Sequence, residues 1–429
     1  MKIVICGGGL VGSAIASHLC EEQNDVTVID DSAENIQRIT DQYDVHGVVG
    51  VASHPDRLAE AGVGDAELLI AVTESDEVNM VACQVSHTIF NTPVKIARIR
   101  SNAYLDPVFS ALYSAENLPI DHIISPEAEV SASISNQLRV PGAFDVQHLC
   151  DGKMNLVGVL CTENNPILGT SLRHLTSLFP DLSVTILAII RDGKVILPRS
   201  GIEAMETGDR VYFVCDSSHL DRAMASFGHD EGEARSVVIA GGGSIGLMLS
   251  REIELNFQNT HSQIIELDAG RAKVLAEELQ GTSIINGDTL DGAILREAGV
   301  HKTETFVSVT EDDEVNILSA LLAKRLGAKR VMSLINRKAY AELVEGGNID
   351  ITITPSHATV GELLKYIRRG DIEAVHSLKR GAAEALEIIV HGDKSTSKVI
   401  GRMVEQIKMP KKKRTKQKKT NAFLHWSVN

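Results

Sequence analysis

The residues best equipped for chemistry are two glycine loops. Gly7-x-Gly9-x-x-Gly12 follows the run KIVIC, and Gly241-x-Gly243-x-x-Gly246 follows VVIA. In such a loop the first glycine turns the chain tightly. The second removes a Cβ so that backbone N–H groups can approach a pyrophosphate, and the third allows close helix packing. The helix that follows adds free N–H donors and a partial positive charge. An acid closes the next strand in both places, Asp30 after VTVI and Glu266 after SQII. A carboxylate there accepts ribose hydroxyls at about 1.5–3 kcal/mol per charged hydrogen bond. It also repels a 2′-phosphate, so NAD(H), ATP or ADP is expected rather than NADP. Asp31 and Asp268 read as helix caps or solvent-facing groups.

A second pair of landmarks lies downstream: AVTESDEVN at residues 71–79 and SVTEDDEVN at residues 308–316. Thr73 and Thr310 end apolar runs, at the sheet edge where ligands of such folds bind. Thr73 can offer a hydroxyl and an amide to an adenosine. Glu74 and its neighbours, like Glu311 and its neighbours, have the alternative of capping the next helix. Arg98, closing KIAR, can reach a phosphate or form a surface ion pair. In VMSLINR a base arrives only at Arg337.

The elements that must position these residues occur twice. The glycine loops are 234 residues apart and the threonine motifs 237, so the chain holds two copies of one unit. In the first copy, strand-like runs at Ile3–Cys6, Val26–Ile29, Val45–Val49, Leu68–Val72 and Val94–Ile99 alternate with helical stretches. Apolar strands alternating with helices predict a parallel sheet covered on both faces. The expected class is α/β: two Rossmann-like, doubly wound domains, each followed by a small α+β lobe. The expected division is residues 1–125, a small lobe at 140–227, the second nucleotide domain at 235–355, an incomplete lobe at 372–410 and a basic tail at 411–429. Within the first small lobe, Ser183–Ile190, Lys194–Leu197 and Arg210–Cys215 read as strands, and Gly228–Ala234 as an acidic linker.

Composition narrows the function. With 43% hydrophobic and 23% charged residues in 429, the chain is globular, not wholly disordered. No apolar run reaches about 18 residues, the minimum for a spanning helix. The N-terminus carries no secretory pattern. Six scattered cysteines without a C-x-x-C pair fit a reducing cytoplasm rather than a zinc or disulfide framework. The net charge of −15 hides a split. Residues 402–429 carry nine Lys/Arg and one acid, leaving the rest near −23. That acidic body disfavours nucleic acid. The run Lys408–Lys419 could attract anionic lipid at about 1 kcal/mol per charge, but a solvated tail is the simpler reading. No histidine pair is matched between copies, and P-loop and nucleophile-elbow motifs are missing, so no catalytic residues are assigned. Two nucleotide folds with no attached chemistry read as a sensor. An NAD-dependent oxidoreductase is the alternative, and a nucleic-acid regulator a weaker third.

CGGGLVG, VTVID, AVTESDEVNMVACQ and VKIARIR, with IAGGGSIG, IIELD, INGDTLDG and SVTEDDEVNILSALLAK, resemble the TrkA family over about residues 1–408. These are nucleotide-binding subunits of bacterial Trk potassium uptake, similar to the RCK (KTN) domains of potassium channels. The resemblance implies a ring-forming homo-oligomer, dimer or higher, on the cytoplasmic face of the inner membrane. Its partner would be an integral-membrane potassium translocator, and it would respond to NAD(H) and to ATP/ADP. The family's contacts would fall on Gly7, Gly9, Leu10, Val11, Asp30, Thr73, Glu74 and Arg98. In the second copy they would fall on Gly241, Gly243, Ser244, Ile245, Glu266 and Thr310. Two departures stand out. Gly50-Val51-Ala52 lacks the acid of Asn286-Gly287-Asp288, and the sequence after Pro410 lacks strand alternation, as in a truncated or altered terminus. The expected division of labour is NAD(H) in copy one, with weaker binding or an adenosine nucleotide in copy two.

Overall fold

The computed structural model describes residues 1–400 apart from 115, 179–183, 199–200, 345–346, 356–358, 362, 364–365, 367–371, 379–382, 390, 392–395 and 397–399. The basic tail and much of the expected last lobe therefore lie outside the described residues.

The first unit runs β1 (Lys2–Cys6), α1 (Leu10–Glu21), β2 (Asp25–Asp30), α2 (Ala33–Gln42), β3 (His46–Val49), α3 (Pro55–Glu60), β4 (Leu68–Ala71), α4 (Asp76–Phe90) and β5 (Val94–Arg98). It closes with α5 (Asn102–Leu105), β6 (His122–Ile124) and α6 (Pro126–Arg139). Its sheet has the order β3-β2-β1-β4-β5-β6, all parallel. The order reverses direction between β1 and β4, which opens a crevice at their carboxyl ends. The sequence reading did not include β6, a three-residue strand too short to show a period.

A five-stranded antiparallel sheet follows, formed by β7 (Ala143–Leu149), β8 (Met154–Leu160), β9 (Val184–Arg191), β10 (Lys194–Ile196) and β11 (Arg210–Asp216). Helices α7 (Leu172–Leu178) and α8 (Leu220–Ser226) accompany it. The second nucleotide unit contains β12 (Ser236–Ala240), α9 (Ser244–Asn256), β13 (His261–Glu266), α10 (Ala269–Glu278), β14 (Ser283–Asn286), α11 (Gly292–Glu297), β15 (Thr305–Ser308), α12 (Asp313–Leu326), β16 (Arg330–Leu334), α13 (Lys338–Val344) and β17 (Ile351–Ile353). Its sheet order, β14-β13-β12-β15-β16-β17, repeats the first. An antiparallel hairpin, β18 (Ile372–Leu378) with β19 (Ala383–Ile388), packs Leu378 and Ala385 against Leu156, Tyr212 and Val214 of the five-stranded sheet.

The two nucleotide units exchange packing elements. Val130, Ile134 and Leu138 of α6 follow one helical face at four-residue spacing. They are fully buried in the second unit's core, beside Leu249 and Ile253 of α9. Each such side chain contributes about 1.5–3 kcal/mol on burial. In return, Leu363 lies in the first unit's core with Ile15 and Leu19, and the Tyr366 ring stacks on His122 at 3.5 Å. The lobes are thereby held face to face.

Candidate functional site

Both glycine loops sit at the strand-order reversals of their sheets and open into one cleft of about 770 Å³ between the lobes. Gly7 and Gly241 have φ of +110° and +103°, the left-handed region that glycine adopts without strain. A Cβ on Gly12 would overlap the carbonyl oxygen of Gly7, and one on Gly246 would overlap that of Gly241. The third glycine is thus required by the loop's own first residue. Gly9 and Gly243 have nothing within 4 Å of a Cβ position, because they face the open cleft.

The helices behind the loops, like α3, α5 and α8, carry no side-chain cap. Ser32, Ser75 and Ser125 cap α2, α4 and α6 through side-chain oxygens, whereas α1 and α9 start at Gly9 and Gly243 with no side-chain cap. First-turn N–H groups of α1 and α9 are left for an anion in the cleft.

The acids hold the loops. Asp30 accepts from Gly8 N–H at 2.5 Å, from Ser32 N–H at 2.9 Å and from the Asn35 amide at 3.0 Å. Glu266 accepts from Gly242 N–H at 2.7 Å and Asp268 N–H at 2.9 Å. The middle glycine's carbonyl is held from outside, by Arg38 at 3.1 Å in the first lobe and Arg271 at 2.8 Å in the second. Sequence reading missed both arginines, because they arise from different turns of α2 and α10. Asp268 caps α10 through Arg271 N–H, and Asp31 is exposed beside the cleft.

The threonine motifs are tied internally. The fully buried Asn79 accepts from the N–H and hydroxyl of Thr73 at 2.8 and 2.7 Å, and Asn316 does the same for Thr310. Ser75 and Asp312 cap the following helices, while Asp76 accepts from the N–H groups of Arg100 and Ser101 and Asp313 from those of Asn336 and Arg337. The motif therefore spends most of its polar atoms on fixing the sheet's edge.

Of the sixteen candidate residues, Gly7, Gly9, Leu10, Val11, Asp30, Thr73, Glu74, Arg98, Gly243, Ser244, Ile245 and Thr310 line the cleft. Gly12, Gly241, Gly246 and Glu266 do not line it. Arg98 is neither free nor a surface group. Its guanidinium pairs with Glu127 at 2.6 Å, and the two side chains are 13% and 10% exposed. Arg100 approaches the same carboxylate at 3.4 Å. Arg100 and Glu127 also line the cleft, and neither was singled out from the sequence. Sheet register puts Leu334 and Asn336 where the first lobe has Arg98 and Arg100. Arg337 turns instead to Glu314 at 3.1 Å. At the third-strand turn, Asn286 donates to the carbonyls of Glu266 and Leu267, and Asp288 accepts from Leu290 N–H. Asp288 thus serves its own backbone. Gly50, Val51 and Ala52 face the cleft in the first lobe. Among the described residues there is no cluster of metal-ligating groups.

Comparison with known proteins places this architecture. The TrkA-N domain family matches residues 3–126 and 237–355, and the TrkA-C domain family matches residues 156–228. The chain is 46% identical to a Trk system potassium uptake protein TrkA of Azorhizobium caulinodans, over 96% of this chain and 89% of that one. It is 44% identical to the protein of the same name from Vibrio alginolyticus, over 96% and 88% of the two chains. Among solved structures, the GsuK channel aligns with a TM-score of 0.65 at 17% identity, covering 89% of this chain and 68% of that one. GsuK bound to NAD aligns at 0.63 and 17%, covering 85% and 63%. These likenesses establish the fold as two Rossmann-like units of RCK type. With both halves of the repeat and the intervening lobe matched, the chain belongs to the TrkA family of Trk potassium-uptake proteins.

Proposed function

We propose that this chain is a non-catalytic regulatory subunit of a potassium-uptake system, binding NAD(H) and ATP or ADP in the interlobe cleft. The supporting observation is that two glycine loops, with uncapped helices behind them, face one cleft beside Asp30, Thr73, Thr310, Arg98 and Arg100. Backbone N–H groups would take the pyrophosphate, Asp30 the adenosine ribose, and the two arginines a distal phosphate. The solved GsuK complex with NAD is a precedent in a protein of the same fold. The first lobe would favour NAD(H) and also admit ATP or ADP, whose distal phosphate its two arginines can meet, and the second would bind more weakly or prefer an adenosine nucleotide.

Binding acts on a membrane translocator only if affinity differs between two lobe arrangements. A difference of about 1–3 kcal/mol changes a gate's open probability severalfold or more. No helix among the described residues is long and apolar enough to cross a membrane, so the partner supplies the pathway for the ion. The subunit would sit on the cytoplasmic face of the inner membrane as a homo-oligomer, with a dimer of first lobes as its smallest form.

Calorimetry with NADH and ATP tests the site, and co-purification with a potassium translocator tests the role. Steady NADH oxidation with any member of a broad substrate panel would instead support an oxidoreductase. A strict monomer by light scattering at micromolar concentration, with and without NADH, would remove the basis of the gating model.

A further inference from the structure

The cleft's two arginines are already occupied by an acid of the chain itself. Glu127 Oε1 lies 2.6 Å from Arg98 Nη2 and 3.4 Å from Arg100 Nε. The arrangement is only half satisfied, since Glu127 Oε2 and Arg98 Nε are buried with no hydrogen-bond partner. A buried charge network with open positions is costly, and groups that fill those positions are favoured. A phosphate presents three oxygens and suits the guanidinium fork as well as a carboxylate does. All three side chains line the cleft, so a phosphate there meets the carboxylate as a rival.

Glu127 is the second residue of α6, which is anchored further along in the second lobe and, through Asn136 and His148, on the five-stranded lobe. Val130, Ile134 and Leu138 lie in that lobe's core. The Gln137 carbonyl accepts from Arg330 Nη2 at 3.0 Å, and Arg139 pairs with Glu252 at 3.6 Å. One ion pair at the start of α6 thus joins the first lobe's cleft to a helix fixed in the second. The second lobe has no equivalent, since Leu334 and Asn336 occupy the arginine positions.

We propose that Glu127 is a built-in competitor for nucleotide phosphate: a phosphate in the first lobe takes Arg98 and Arg100, expels the Glu127 carboxylate, and thereby releases the N-terminal turn of α6. The switch is set by ligand charge. A ligand without a phosphate in reach of these arginines leaves the pair closed, and ATP opens it most strongly. This rests on the nucleotide reading of the cleft.

The test uses the full chain. Glu127→Gln removes the rival charge and keeps the shape, so ATP should bind about tenfold tighter or more, the equivalent of one charged hydrogen bond. NADH, with fewer phosphate charges, should gain less. In the unaltered chain, ATP should speed hydrogen exchange at the start of the 126–139 segment. That measurement stands even if the variant fails to fold. Unchanged or weaker ATP binding by a folded Glu127→Gln chain overturns the proposal and, if weaker, places Glu127 among the binding groups. Unchanged exchange in 126–139 on ATP binding overturns it as well. If the unaltered chain binds neither ATP nor NADH, the nucleotide reading itself has failed, an outcome distinct from both.

Discussion

Asn79 Oδ1 accepts two hydrogen bonds from Thr73, one from its N–H at 2.8 Å and one from its hydroxyl at 2.7 Å. The same amide donates to the carbonyls of Thr73 and Arg98 at 3.2 and 3.0 Å. One buried side chain therefore holds the ends of β4 and β5, and with them two cleft residues. Asn79→Ala should leave those groups unpaired and destabilise the first lobe by about 1–3 kcal/mol. Thermal unfolding should show the loss, and calorimetry should show weaker NADH and ATP binding together. Full nucleotide affinity in a destabilised variant would separate this amide from the site.

The glycines of the first loop should fail in different ways. A Cβ on Gly9 meets no neighbour, so with Gly9→Val the melting curve should hardly move while NADH binding disappears. Gly12→Ala puts a methyl onto the Gly7 carbonyl and should cost about 1–3 kcal/mol of stability, as overpacking does. A Gly9→Val chain that still binds NADH would place the pyrophosphate elsewhere.

Asp30 anchors the loop through Gly8 and remains beside the cleft. Asp30→Ala should weaken NADH binding by about 1.5–3 kcal/mol, the worth of one charged hydrogen bond. Glu266, which does not line the shared cleft, should affect NADH less and ATP differently when changed to Ala. Identical losses for both ligands in both variants would argue against a division of labour between lobes.

The lobe–lobe contact should be strong and local. Ile134 is fully buried where α6 packs on the second lobe. Ile134→Ala should cost about 2–5 kcal/mol, the usual range for an Ile-to-Ala cavity. If the two lobes then melt in separate calorimetric transitions, α6 is what makes them cooperate; an unchanged single transition would show that other contacts suffice.

Burial in the five-stranded sheet pushes the Asp145 carboxyl up to about 6, from an ordinary value of 3.8. Between those values the unfolded chain has lost the proton and the folded chain keeps it. This residue's contribution is therefore fully present below about pH 4 and declines as pH rises through 6. Asp145→Asn should remove that decline, making the stability curve flatter between pH 4 and 7 than that of the unaltered chain. Parallel curves would mean that Asp145 is ionised throughout.

The duplication, the parallel sheets, the glycine loops and the acids that follow them could all be read along the chain. They rest on local rules: strand and helix periods, the backbone freedom of glycine, and spacing within one βα unit. Helix α4 is capped by Ser75, one of the neighbours of Glu74 for which capping is the alternative reading. The relations across the fold could not be read. Glu127 lies 29 residues from Arg98, and nothing local marks it as that arginine's partner. Asn79 stood in plain view inside a repeated motif, yet its role depends on a β5 carbonyl that the sheet alone brings near. Arg38 and Arg271 reach equivalent carbonyls from non-equivalent helix positions, so aligning the two copies hides their common task. That the two loops share a single cleft was decided by α6 crossing to the other lobe. Its apolar stripe at 130, 134 and 138 shows that it must bury a face, but periodicity does not say whose core receives it.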